Sequence, residues 1–144
     1  MNAEFQIGSA ALESIVAQAR AVQPLECCGL LIGSGTVISE ARQTANVSEV
    51  PNRFFIDPKG HIDGRRDARL RGLEVLGFYH SHPQTRAQPS ATDRAEAAYP
   101  GSLHLIVSLA TNPPEARLFR FEGEDFIEVA YVARPSAGSG RASS

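Results

Sequence analysis

The chain of 144 residues has only two cysteines, Cys27 and Cys28, and they are adjacent. Neighbouring cysteines cannot build a disulfide framework, and neither has a partner at zinc-ligand spacing. Cys28 reads as a small buried hydrophobe and Cys27 as partly exposed. A bilayer-spanning apolar run and a basic-then-apolar leader are also missing, so a cytoplasmic protein without membrane association is expected. Neither sign of charge predominates: the formal net charge is -2, which gives no broad attraction for nucleic acid. The one basic cluster, Arg65, Arg66, Arg69 and Arg71, reads as a solvated helix face. Two hydrolytic zinc signatures are absent, H-E-x-x-H and H-x-E with P-C-x-x-C, which removes zincins and zinc deaminases.

The length suits one domain, with about 68–70% of the unfolded surface buried, enough for a core without disulfides. Strands are expected at 5–7, 29–33, 36–41, 73–79, 103–110, 116–121 and 126–133, and helices at 10–22, from Asp57-Pro58 to about 71, and 90–98. Ser34-Gly35 reads as a hairpin turn. Alternation in 116–121 is imperfect and leaves that strand's inward face open. Hairpin-linked strands with few helices predict an α+β fold, a mixed, largely antiparallel sheet flanked by helices. The domain is expected to span 1–134; residues 135–144 are small, polar and aperiodic and read as a disordered tail.

The chemistry concentrates at His80-Ser81-His82, followed by Ser90 and Asp93. The apolar run before it reads as a strand, so His80 and His82 project to one side, and Pro83 ends the ladder. Residues 84–89 read as a loop, and the next helix places Ser90 and Asp93 together in its first turn. Two imidazoles and one carboxylate are one ligand fewer than a closed structural zinc site, the pattern of a catalytic site with a position left for water. Bound zinc lowers the pKa of that water from about 15.7 to roughly 7. Ser90 is a candidate oxyanion donor. Glu26, in Pro24-Leu-Glu-Cys-Cys-Gly-Leu-Leu-Ile32, is the candidate proton carrier, with nothing local that establishes proximity.

Other readings stand beside this one. Ser90-x-x-Asp93 after Pro89 is close to a capping box, H-x-H alone fits a polar strand edge, and Glu26 alone fits an exposed loop. His61, in an Arg-rich stretch, and His104, in an apolar run where it fits a hydrogen-bonded core or edge position, have no expected part in the chemistry. Two histidines and a carboxylate also describe the facial triad of non-haem Fe(II) oxygenases.

The full set resembles the JAMM, or MPN-plus, metallopeptidases, whose signature is a glutamate upstream of H-x-H, seven residues, S, two residues, D. Glu26-Cys-Cys28-Gly29 resembles the family's E-x-C-G context, and Gly77-Phe-Tyr-His-Ser-His-Pro83 its G-h-Y-H-S-H-P form. The likeness runs from about Ile7 to Val132. By resemblance, His80, His82 and Asp93 bind one zinc ion per chain, Glu26 is the general acid/base, and Ser90 stabilises the tetrahedral intermediate. The resemblance implies a JAMM/MPN core related to the cytidine-deaminase-like architecture. It also implies hydrolysis of a peptide or isopeptide bond after the C-terminal Gly-Gly of a ubiquitin-like sulfur-carrier protein. A non-catalytic MPN scaffold is the alternative within the family. A short chain leaves little room for a deep pocket, so a protein partner is expected to supply recognition surface. Its tail is expected along an exposed strand edge beside the metal.

Overall fold

The computed structural model describes residues 4–48, 53–96 and 99–135. β1 (Phe5–Gly8) leads directly into α1 (Ser9–Val22), and β2 (Cys28–Ser34) and β3 (Val37–Thr44) form the expected hairpin. α2 (Pro58–Leu70) begins where the Asp57 carboxylate accepts the Gly60 N–H at 3.3 Å; its first-turn proline lacks only an N–H that has no intrahelical partner there. β4 (Glu74–His82), α3 (Ala91–Glu96), β5 (Leu103–Ser108), β6 (Glu115–Phe121), β7 (Phe126–Val129) and β8 (Tyr131–Arg134) follow. Two expectations run beyond the described residues: the end of the third helix at 97–98 and the tail from Ser136 onward.

All eight strands join one sheet in the order β7-β6-β5-β4-β2-β3-β1-β8. Four of its seven pairings are antiparallel and three parallel, so it is the mixed, largely antiparallel sheet expected. The expectation of one strand over 126–133 needs correction. The chain makes two strands there, separated by Ala130, and they lie at opposite ends of the sheet order. Strand twist accumulates over eight strands until the two edges approach each other. One extended segment then serves both, and the Phe5 N–H donates to Ala130 O at 3.3 Å. Val129 accordingly joins the same core as Phe5, Ile7 and Leu118.

Helices cover both faces. α1 buries Ala11, Ile15 and Ala19 against Leu31, Tyr79, Leu105 and Val107. α2 lies on the other face through Ala68, over Leu30, Ile32 and Phe78. β6 resolves its imperfect alternation by serving both sides, with Leu118 toward α1 and Phe119 in a separate cluster with Ala87 and Ile106. Cys27 and Cys28 are both buried, which corrects the expected exposure of Cys27: it packs in the core under α1. Among the described residues no helix is long and apolar enough to cross a membrane.

Two glycines set distances the site depends on. A Cβ on Gly64 would meet Leu30 Cδ1 at 2.3 Å, so this glycine lets α2 settle close to the sheet. A Cβ on Gly77 would meet Leu103 O, carbonyl carbon and nitrogen at 2.0, 2.6 and 2.7 Å, and that backbone has nowhere to go inside the β4–β5 ladder. Gly77→Ala should therefore destabilise the protein by on the order of 2–3 kcal/mol. Urea denaturation of the two proteins checks this; a loss below about 0.5 kcal/mol, the scatter of ordinary surface changes, would mean that the strands part without strain.

His104 is a hydrogen-bonded core histidine, as expected. Its ring meets Phe126 at 5.0 Å and Phe78 at 5.5 Å, and its Nε2 lies 3.2 Å from Ser102 Oγ. Burial, reinforced by nearby His80, pushes its pKa down from 6.5 to about 4. The unfolded chain therefore binds a proton that the folded one refuses. The stability this provides is present above pH 6.5 and is lost as pH falls toward 4, by up to about 3 kcal/mol. Between pH 7 and 4, wild type should lose this much more stability than His104→Phe, both treated with chelator; parallel pH profiles would contradict a neutral buried imidazole.

Candidate metal centre

Residues two apart on a strand share a face, so Phe78, His80 and His82 all project to the α2 side of β4. The last two stand at its C-terminal end, before Pro83. α3 brings the third group. The Ser90 N–H donates to Asp93 Oδ2 and the Asp93 N–H to Ser90 Oγ, each at 2.9 Å, a reciprocal capping box. Capping and ligation are thus compatible roles for the same pair, because the oxygen that caps the helix also faces the histidines. His80 Nε2 and His82 Nε2 are 3.2 Å apart, and each is 3.1 Å from Asp93 Oδ2. All three side chains are at most 8% exposed.

That triangle is electrostatically incomplete on its own. His82 Nδ1–H donates to Arg86 O at 2.8 Å, which in the neutral ring leaves a lone pair at Nε2. Lone pairs of His82 and an ionised Asp93 facing each other at 3.1 Å repel unless a cation or proton lies between them. The triangle's edges are only slightly shorter than the roughly 3.3–3.6 Å of a tetrahedron with metal–ligand bonds of about 2.0–2.2 Å. The donor set and its geometry therefore fit one metal ion. The titration shifts agree. Burial raises Asp93, but His80, His82 and the Ser90 N–H outweigh it and hold the carboxyl well below the usual range. Burial lowers His82, yet its bonds to Asp93 and the Arg86 carbonyl bring it above its ordinary value, whereas the wholly buried His80 is lowered.

Glu26 is brought to this point by strand pairing. Cys28 pairs with His80, and the Ser81 N–H donates to Cys27 O, so the same antiparallel register sets Glu26 opposite His82. Two further bonds fix it: the Cys27 N–H donates to Ser81 Oγ and Asn46 Nδ2 donates to Glu26 O, both at 2.8 Å. Glu26 is 5% exposed, not the loop carboxylate it resembles in isolation, and among the described residues its Oε1 has no hydrogen-bond partner. Burial raises its pKa to about 7, with His82 lowering and Asp93 raising it further. Ser90 is exposed, and its hydroxyl, accepting one N–H, retains a proton to donate.

The structure adds what the sequence did not reveal. The Phe54 ring stacks on His80 at 4.3 Å, and Asn46 holds Phe54's segment in place by accepting the Phe55 N–H at 2.9 Å. A cavity of about 390 Å³ opens beside His80 and Asp93, walled by Phe54, His61, Phe78, Tyr99, His104 and Phe126 among others. A short chain, expected to leave little room for a deep pocket, still leaves this small one beside the site. His61 and His104, assigned no part in the chemistry, are in its wall. β4 is paired on both sides, with β2 and β5, so the strand bearing the histidines offers no open edge to an incoming tail.

A family model described as prokaryotic homologs of the JAB domain matches residues 8–122. The chain is 31% identical over 138 residues to a desampylase of Haloferax volcanii, a match covering 90% of this chain and 96% of that protein. It is 32% identical over 69 residues to a desampylase of Pyrococcus furiosus, covering 48% and 49%. Among solved structures, a Desulfitobacterium hafniense protein superposes with a TM-score of 0.85 at 31% identity, covering 92% of this chain and 94% of that one. A JAB1/MPN domain protein from Archaeoglobus fulgidus shares the fold, with a TM-score of 0.60 at 23% identity, covering 91% and 100%. With the family model spanning most of the chain and the fold shared end to end, this chain belongs to the prokaryotic JAB family, the small JAMM/MPN proteins.

Proposed function

We propose that the chain is a zinc-dependent peptidase that hydrolyses the peptide or isopeptide bond after the C-terminal Gly-Gly of a ubiquitin-like sulfur-carrier protein. The observation that carries this reading is Glu26, a buried carboxylate in strand register with His82, whose Oε1 has no hydrogen-bond partner among the described residues. Burial raises its pKa, which suits a group that must both take and return a proton, as general acid–base hydrolysis requires. The desampylases among its relatives support a ubiquitin-like modifier as the substrate class.

In this reading His80, His82 and Asp93 hold the metal, which when bound supplies Lewis acidity and lowers the pKa of water at the site. Glu26 takes a proton from the attacking water and gives it to the departing amine. The Ser90 hydroxyl donates to the carbonyl oxygen as negative charge grows there. The Arg86 carbonyl keeps His82 in the tautomer whose Nε2 faces the metal. Phe54, stacked on His80, narrows the approach, which favours a substrate residue without a Cβ on the carrier side of the bond.

Alanine at His80 or His82 should abolish tight zinc binding, read by metal analysis of freshly purified protein. Full occupancy and activity in both variants would defeat the assignment. Glu26→Gln should keep zinc but lose turnover of carrier fusions, because an amide of nearly the same shape cannot accept the proton. Ser90→Ala should also keep zinc and lose on the order of 100- to 1,000-fold in kcat. It also removes a helix cap, a change of about 1 kcal/mol that its thermal midpoint reports separately. Wild-type rates in both variants would point to a scaffold or an oxygenase, and oxygen uptake by the iron-loaded protein would distinguish these.

A further inference from the structure

The aromatic cavity beside His80 and Asp93 has a chemistry of its own, which the roles given to Glu26, Ser90 and the histidines do not use. Its floor and walls are rings set at angles to one another: His61 meets Phe78 at 5.3 Å edge-on, Phe78 and Tyr99 are 5.6 Å apart, and His104 meets Phe126 at 5.0 Å edge-on. Such an arrangement accepts a flat or branched apolar group with both face and edge contacts. At about 390 Å³ it is at the small end of small-molecule sites, which run from roughly 300 to 1,000 Å³. It suits one large residue and is too small for a folded segment. The wall is uncharged apart from Asp93, which belongs to the metal triangle. His61 accepts a hydrogen bond at Nε2 and is therefore neutral there, and His104 is held neutral by burial.

One cation stands over this wall. Arg65 Nε donates to His61 Nε2 at 2.8 Å, and its guanidinium carbon lies 5.4 Å from the centroid of the Tyr99 ring. Two wall residues thus hold the guanidinium in place. Among the described residues, neither of its terminal nitrogens makes a hydrogen bond or ion pair. Arg71, from the same basic cluster, is instead committed to Glu40 at 2.7 and 2.9 Å and to Asp67. An apolar cavity beside His80 and Asp93, with a guanidinium held against two of its wall residues, is complementary to an apolar side chain that carries a nearby carboxylate.

We propose that the cavity receives the residue released by cleavage, a large apolar or aromatic amino acid joined through its α-amine to the carrier's terminal glycine, and that Arg65 takes its free α-carboxylate. This rests on the carrier-peptidase reading and narrows it from an isopeptide bond at a lysine to removal of a C-terminal residue. In the reaction, the oxygen of water bonds to the glycyl carbonyl carbon, the C–N bond breaks, and the departing amine takes up a proton. Carrier carboxylate and free amino acid are the products. His61 acts as a positioning residue for Arg65.

The test uses the full chain as purified with its metal, and a ubiquitin-like sulfur-carrier protein from the same genome extended after Gly-Gly. The extensions are Phe, Phe amide, Ala, and an isopeptide-linked lysine peptide. Gly-Gly-Phe should exceed Gly-Gly-Ala and the lysine isopeptide by about 10- to 100-fold in kcat/KM, the span for burying one large apolar side chain. The free acid should exceed the amide, and Arg65→Met should bring the acid-to-amide ratio close to one. Calorimetric titration with L-phenylalanine, L-phenylalaninamide and L-alanine provides a readout independent of turnover, with the same order expected and the same loss in Arg65→Met. Equal turnover of all fusions together with no preference for L-phenylalanine overturns the cavity assignment and leaves the peptidase reading standing. Arg65-dependent binding of L-phenylalanine with no turnover of any fusion overturns the peptidase reading instead. An acid-to-amide ratio unaffected by Arg65→Met removes the carboxylate contact.

Discussion

Three lone-pair donors held within 3.2 Å of one another in a buried place repel, and much of the surrounding structure consists of what keeps them there. Two come from one strand, whose alternation aims both imidazoles the same way. The third is locked by the reciprocal bonds between Ser90 and Asp93. The loop between them is tied down as well: Arg86 O accepts from His82, and Ser108 Oγ donates to Thr85 O while accepting the Ala110 N–H. The cost of bringing like groups together is met by the bonds that fold the strand end, the loop and the helix start around them.

Glu26 is shaped mainly by burial. Withdrawal from water raises its pKa, with His82 opposing the shift and Asp93 adding to it. Its position is set by main-chain pairing and by two side chains, Ser81 and Asn46, so Glu26 and the His80–His82–Asp93 triangle share one frame. Asn46 also holds the segment that lays Phe54 over His80, which links the wall of the cavity to the placement of Glu26.

Most of the framework was legible in the sequence, since strand alternation, Asp57-Pro58, Pro24 and the Ser34-Gly35 turn are local signals whose physics acts within a few residues. The splitting of 126–133 was not. Nothing in Phe126 to Ala133 says that Ala130 separates two strands, because the break arises from curling of the whole sheet. Glu26 could be named from its motif, but its burial and titration depend on β2–β4 register and on Asn46, twenty residues away in the chain. The aromatic cavity was illegible because its walls come from segments far apart in the chain, and each aromatic residue alone reads as ordinary core.

The sequence by itself pointed to the three side chains that meet, since the H-x-H spacing on a strand and the S-x-x-D spacing at a helix start each fix direction over a single turn or pleat. It also determined the α+β character and the absence of a disulfide framework. Tertiary structure alone decided that the capping oxygen and the two imidazoles meet within 3.2 Å, that Glu26 is buried opposite His82, and that Arg65 is held over an aromatic wall. These depend on how elements far apart in the chain pack, and packing is set by the volumes and close approaches of residues such as Gly64 and Gly77, which carry no chemistry of their own.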